Sequence, residues 1–105
     1  MTRRDAGAAP RSSASSPVVR RRIVFTGSVQ GVGFRYRAVH AAAHWDCTGW
    51  VRNEYDGSVT MEIQGRADAI DQVVETISRG TFVHIEGMEV TAIAADPSER
   101  GFDAR

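Results

Sequence analysis

With 105 residues, 42% of them hydrophobic, the chain is long enough for one small domain with one core and too short for a second. Residues 1–22 carry six arginines and Asp5, whereas residues 23–105 carry seven arginines and twelve acidic residues, so a general affinity of the domain for nucleic-acid phosphates is excluded. A single cysteine, Cys47, excludes an internal disulfide, and no apolar run approaches the roughly 20 residues that span a bilayer.

The beginning of the chain differs in composition from the rest. Residues 1–19 are rich in Ala, Ser, Arg and Pro and lack the apolar stretch of a secretory signal, which predicts a flexible basic arm ahead of a domain over residues 20–105. An organelle transit peptide has a similar composition, but disorder is the favoured interpretation. We expect a cytoplasmic monomer.

The first predicted elements are a strand over Val18–Ser28 and a helix that begins near Phe34. Apolar residues recur in this helix at spacings of three and four, giving one stripe: Phe34, Ala38, Ala41, Ala42 and Trp45. This pattern places Trp45 in the core. His40 and His44 have a spacing that suits a metal ion, but no third ligand is evident nearby and an exposed polar face is favoured.

The next predicted elements are two strands joined by a hairpin. Residues 47–53 read as a strand, and Asp56-Gly57 is a turn signal. The third strand alternates between apolar and polar residues and ends at Gly65: Val59, Met61 and Ile63 against Thr60, Glu62 and Gln64. One face of this strand is therefore expected to be buried and the other polar.

A second helix and a last strand pair complete the predicted order. The helix is marked by an apolar stripe, with Asp68 and Asp71 in its first turn: Ala67, Ile70, Val73, Val74 and Ile77. A fourth strand lies within residues 82–93, with a bulge or bend at Gly87, and residues 101–103 can form a short edge strand. The order βαββαβ predicts an α+β, ferredoxin-like sandwich with two helices on one face of an antiparallel sheet of four to five strands.

The segment from Gly27 to Arg35 is the strongest functional signal. Its glycines let successive main-chain N–H groups point at one spot, and the new helix adds unpaired N–H groups and the positive end of its dipole. Arg35 can bind phosphate oxygens through its planar guanidinium. The chain has no lysine, which excludes a Walker A loop, and Gly31-Val32-Gly33 lacks the third glycine of a dinucleotide fingerprint. A simple tight turn with a solvated arginine remains the alternative at this point.

Two segments together resemble the acylphosphatase family. They are the loop Gly27-Ser28-Val29-Gln30-Gly31-Val32-Gly33-Phe34-Arg35 and the strand Gly49-Trp50-Val51-Arg52-Asn53, which is followed by Asp56-Gly57. The resemblance covers about residues 20–105. It implies the ferredoxin-like fold and the metal-independent hydrolysis of small acyl phosphates, without a cofactor.

The resemblance also implies the roles of individual residues. Arg35 corresponds to the phosphate-binding arginine of the family, and Asn53 to the asparagine that orients the attacking water. The expected phosphate-binding residues form one continuous loop: Ser28, Val29, Gln30, Gly31, Val32, Gly33, Phe34 and Arg35.

Two other functions fit parts of the sequence. A non-catalytic phosphate- or carbamoyl-phosphate-binding accessory module would keep the same loop, although the presence of both Arg35 and Asn53 favours activity. RNA-recognition domains share the element order, and residues 79–83 faintly resemble one of their strand motifs. That motif, however, is expected on the third strand, where Val59 to Gln64 provide no aromatic platform.

Overall fold

A computed structural model describes residues 17–105 of the chain. The first sixteen positions of the expected arm lie outside these described residues. The strands are β1 (Val18–Ser28), β2 (Thr48–Asn53), β3 (Val59–Arg66), β4 (His84–Ile93) and β5 (Phe102–Ala104), and the helices are α1 (Phe34–His44) and α2 (Ala67–Ser78).

The five strands form one sheet in the order β4-β1-β3-β2-β5. β1 lies antiparallel to both β3 and β4, and β2 lies antiparallel to β3. β5 runs parallel to β2, so the expectation of a purely antiparallel sheet was wrong for this one pair. The reason is that the chain crosses from the β4 edge to the opposite edge before it pairs, which frees β5 from the direction that a hairpin would impose.

Both helices pack against the sheet and enclose the core, which confirms the ferredoxin-like fold. The rings of Phe25 in β1 and Phe34 in α1 meet edge to face, with centroids 4.8 Å apart. The largest side chains that are fully buried come from the sheet, both helices and the glycine-rich loop: Phe25, Phe34, Ile23, Met61, Ile63, Ile70, Ile77, Val29, Val51, Val59 and Val73. The loop is thus anchored in the core by Val29 and Phe34.

Trp45 does not pack in the core as the helical spacing suggested. α1 ends at His44, and Trp45 is the capping residue, 36% exposed. The prediction was wrong because the spacing argument holds only within a continuing helix, whereas here Asp46 turns the chain with a positive φ of 59°. The Trp45 ring lies instead against the His44 ring, with ring centroids 5.0 Å apart.

Two expectations about β3 also need correction. Thr60 is buried although the alternation placed it on a polar face, because β3 is an inner strand with neighbours on both sides. The strand continues through Gly65 to Arg66, which is the residue before α2. A Cβ at position 65 would lie 2.8 Å from Cys47 Sγ, so glycine is needed here for a close approach and not for strand termination.

The expected ends of the other elements are close to those observed. β2 begins at Thr48, one residue later than expected, and only Asp68 lies in the first turn of α2. The register between β1 and β4 shifts beside Gly87, which confirms the bulge. No helix within residues 17–105 is long and apolar enough to cross a membrane.

The basic residues just before the buried apolar part of β1 belong to the same strand. Arg20 is only 6% exposed and donates hydrogen bonds to Glu99 Oε1 at 2.7 Å and to Glu62 Oε1 at 3.1 Å. The hydrogen bond to Glu99 is the largest contribution to the raised pKa of this guanidinium. Arg21 pairs with Asp71 at 3.1 Å, so much of the positive charge near residue 20 is neutralised within the fold.

Candidate active site

The loop between β1 and α1 presents a row of unpaired main-chain amides. Gly31 has a φ of 73° and Gly33, which caps α1, a φ of 82°, both in the left-handed region that favours glycine. Within residues 17–105, no hydrogen-bond acceptor is found for the N–H groups of residues 31–36. A Cβ atom placed on either glycine would have no other atom within 4 Å. An anion therefore has room to approach these amides at the positive end of α1.

Arg35 lies in the first turn of α1 and is exposed. One terminal nitrogen, Nη1, donates to the main-chain oxygen of Arg105 at 2.9 Å. No other partner of this side chain is found among residues 17–105, which leaves its remaining N–H groups available. The contact to Arg105 holds the guanidinium beside the loop, where it can donate two parallel hydrogen bonds to a tetrahedral anion.

Asn53 is the last residue of β2, and the sheet places it beside the glycine-rich loop and Arg35. It pairs with Val59 across the hairpin and is half-buried. The turn that follows is held by the Gln30 side chain, whose Nε2 donates to the main-chain oxygens of Glu54 at 2.7 Å and Ser58 at 2.8 Å. The glycine-rich loop and the strand that carries Asn53 are thus joined directly.

A cavity of about 200 Å³ is lined by both candidate catalytic residues. Its lining combines the loop, the start of α1 and the end of β2: Val29, Gly31, Gly33, Phe34, Arg35, Tyr36 and Asn53. Other loop residues expected to bind phosphate lie outside this lining: Ser28 pairs with His84 at the end of β1, Val32 packs against the core, and Gln30 supports the hairpin.

Tyr36 is the lining residue that the sequence analysis missed. Its position directly after Arg35 on α1 was visible, but sequence alone does not show which way the ring turns. The side chain is 71% exposed, an unusual environment for an aromatic residue, and it borders the cavity.

The carboxylates nearest in sequence to Asn53 are engaged elsewhere. Asp56 accepts hydrogen bonds from the Ser58 hydroxyl at 2.6 Å and the Ser58 amide at 2.9 Å, which lower its pKa. The pKa of Glu54 is lowered by hydrogen bonds from Thr60 and then Arg52. Neither lines the cavity, so the arrangement offers an anion site without a facing carboxylate.

The other titratable candidates do not join the site. His40 and His44 lie on the exposed face of α1, and His84 is exposed on β4, as expected. Among residues 17–105, no group of three or more His, Cys, Asp and Glu side chains is arranged to hold a metal ion.

Cys47 is buried, and burial raises the pKa of its thiol from 9.0 to about 11. We expect a disulfide reagent at pH 8 to leave Cys47 unmodified in the folded protein and to label it completely in urea. The folded state holds the thiol proton more tightly, so this contribution to stability is full below pH 9 and lost as the pH rises to about 11. The Cys47→Ala variant should therefore not show the loss of stability that this thiol causes as the pH rises from 9 to about 11. Fast labelling of Cys47 without denaturant would contradict its burial.

Comparison with known proteins agrees with this geometry. The acylphosphatase family model matches residues 21–104. An acylphosphatase from Bifidobacterium longum is 52% identical over 66 residues, which cover 63% of this chain and 68% of the relative. One from Geobacillus thermodenitrificans is 41% identical over 81 residues, covering 76% and 86%.

Comparison with solved structures also identifies acylphosphatases as similar proteins. The crystal structure of an acylphosphatase from Bacillus subtilis has a TM-score of 0.76 and 32% sequence identity to this chain. The match covers 83% of this chain and 98% of that one. The chain therefore belongs to the acylphosphatase family.

Proposed function

We propose that this chain carries out the hydrolysis of acyl phosphates with Arg35, the loop amides and Asn53, and without a metal ion. The observation that supports the proposal most is that residues carrying unpaired amides, Gly31 and residues 33–36, line one cavity together with Asn53. Five of the lining residues come from the loop residues that the resemblance implied, and Asn53 comes from its strand.

The chemistry of an acyl phosphate requires little beyond these groups. It is a mixed anhydride, and its leaving group is a carboxylate that is stable without a proton. The catalytic tasks are therefore to hold the phosphoryl group, to offset its charge and to place a water in line with the breaking bond. The loop amides and Arg35 perform the first two tasks, and Asn53 performs the third.

Each atom has a defined destination in this reaction. The water oxygen bonds to phosphorus while the bond from phosphorus to the acyl oxygen breaks. The electron pair of the broken bond leaves with the carboxylate. The Asn53 amide can accept a hydrogen bond from the water but cannot take its proton at neutral pH. That proton passes to an oxygen of the phosphoryl group, so the products are a carboxylate and dihydrogen phosphate. A general base is not needed.

Hydrolysis of acetyl phosphate and of a stable phosphate monoester, each with and without EDTA, tests the proposal. We expect rapid release of phosphate from the acyl phosphate only, at a rate that EDTA does not change. Hydrolysis that EDTA abolishes and added metal restores would contradict the metal-free mechanism. Absence of hydrolysis, with phosphate binding retained, would favour the accessory-module interpretation.

The Gln30 side chain provides a prediction about how the site is assembled. Gln30→Ala removes two hydrogen bonds to the hairpin, which should lower the free energy of unfolding by about 2 kcal/mol. It should also lower turnover, because the hairpin positions Asn53. Urea denaturation and initial rates measure the two effects.

Gln64→Ala is a matched control for Gln30→Ala. Gln64 also makes two hydrogen bonds to the main chain, both to Asp96, at 2.9 Å and 2.7 Å, but it lies away from the cavity. The Gln64→Ala variant should be less stable than the wild type but should keep its turnover. Equal turnover in the two variants would mean that Gln30 supports the fold alone.

We propose in addition that the chain acts in the cytoplasm as a monomer on small acyl phosphates and does not bind nucleic acid. The pairing of Arg20 and Arg21 with acidic side chains argues against nucleic-acid binding, as does the position of residues 79–83, which lie in the connection between α2 and β4 and not in a strand. Saturable binding of single-stranded RNA at physiological salt would contradict it, as would dimers in sedimentation velocity.

A further inference from the structure

A second and larger cavity adjoins the proposed phosphate site. It is an open groove of about 540 Å³ between α1 and α2, and it shares Gly33 and Tyr36 with the smaller cavity. We call it the helix groove. Its volume exceeds the roughly 300 Å³ at which ligand pockets begin.

Aromatic rings form one wall of the helix groove. Tyr36, His40 and His44 are spaced four residues apart, so they lie on one face of α1 over about 12 Å. The Tyr36 and His40 rings are in contact, with centroids 4.2 Å apart, and the Trp45 ring continues the wall. Thr76 of α2 lies on the opposite side.

One side of the smaller cavity is formed by the packed core. Val29 is 0% exposed and Phe34 is 2% exposed, so the lining behind the phosphate position is the packed core. Asn53 lies at the end of β2, where the attacking water is placed. The acyl group must leave the phosphate opposite that water, and Gly33 and Tyr36 provide a continuous surface into the helix groove.

We propose that the helix groove binds the acyl group and gives the enzyme a preference for acyl phosphates with an aromatic acyl group. This inference rests on the proposed function. A benzoyl group is flat and apolar, and its ring can stack on Tyr36 and reach His40. An acetyl group is too short to pass Tyr36, so it gains nothing from the rest of the groove.

The test compares kcat/KM for benzoyl phosphate with that for acetyl phosphate in each variant. Each ratio is divided by the wild-type ratio, which removes the intrinsic difference in reactivity between the two substrates. His40→Ala should lower the ratio about fivefold, the effect of losing one aromatic contact. Thr76→Trp fills the groove and should lower it about tenfold or more by blocking the ring.

Ser78→Trp is the matched control. It adds the same side chain to an exposed position of α2 that does not line the helix groove, so the ratio should stay within about twofold of wild type. Acetyl phosphate hydrolysis should be unchanged in Ser78→Trp.

The possible outcomes separate the two proposals. A ratio that falls in His40→Ala and Thr76→Trp but not in Ser78→Trp supports the acyl site. Equal changes for both substrates, or no change, would overturn it while leaving the proposed function intact. Failure of the wild type to hydrolyse either substrate would overturn the proposed function and with it this inference.

Discussion

Replacement of Arg35 by glutamine is expected to lower kcat/KM for an acyl phosphate by about three orders of magnitude, the scale on which arginines stabilise phosphoryl transfer. The guanidinium offsets the charge on the phosphoryl oxygens and donates paired hydrogen bonds that an uncharged amide cannot replace. The fold should be nearly unaffected, because Arg35 is exposed and its hydrogen bond to Arg105 contributes only about 1 kcal/mol.

Two further variants sharpen this result. Arg35→Lys keeps the charge but loses the planar pair of donors, so it should recover only part of the activity. Arg79→Gln removes an exposed arginine at the end of α2 that pairs with Glu75, and it should retain full activity. Wild-type hydrolysis by Arg35→Gln, with an unchanged unfolding curve, would show that the phosphate is held elsewhere.

Asn53→Ala is expected to lower kcat by roughly two orders of magnitude, the loss seen when one positioned polar group is removed from a reacting centre. Its effect on phosphate binding should be much smaller, because Asn53 holds water and the loop holds the anion. Measuring kcat together with the inhibition constant of inorganic phosphate separates these contributions.

Thr48→Ala is the control for Asn53→Ala, since Thr48 lies at the other end of the same strand. It should leave kcat and phosphate inhibition near the wild-type values. If Asn53→Ala weakened phosphate inhibition as much as it lowered kcat, Asn53 would be a part of the anion site and not the residue that orients water.

Local patterns predicted most of the fold because they agree with its packing. Three of the five residues in the predicted apolar stripe of α2 are buried, and the bulge beside Gly87 was visible from a glycine within a strand pattern. The parallel pairing of β5 was not predictable, since it depends on where the chain lies after crossing the sheet. Trp45 was misplaced because periodicity does not show where a helix ends.

The candidate site shows a similar division. Gly31, Gly33, Arg35 and Asn53 belong to short motifs whose chemistry is readable from residue type, and the fold brings all four to one cavity. The support from Gln30 spans 24 and 28 residues of sequence and becomes visible only when loop and hairpin meet. Whether a side chain lines a cavity depends on packing across several elements, as Tyr36 illustrates.

The proposed mechanism depends on the binding of a phosphoryl group by the amides of residues 31–36 and the Arg35 guanidinium. Titration of the ¹⁵N-labelled protein with inorganic phosphate, followed by amide chemical shifts, tests it most directly. We predict saturable shifts concentrated at Gly31, Gly33 and Arg35 and at the side-chain amide of Asn53, and their loss in Arg35→Gln. Shifts that cluster around Arg21 or Arg79 instead, and that persist in Arg35→Gln, would show that the loop and Arg35 do not bind phosphate.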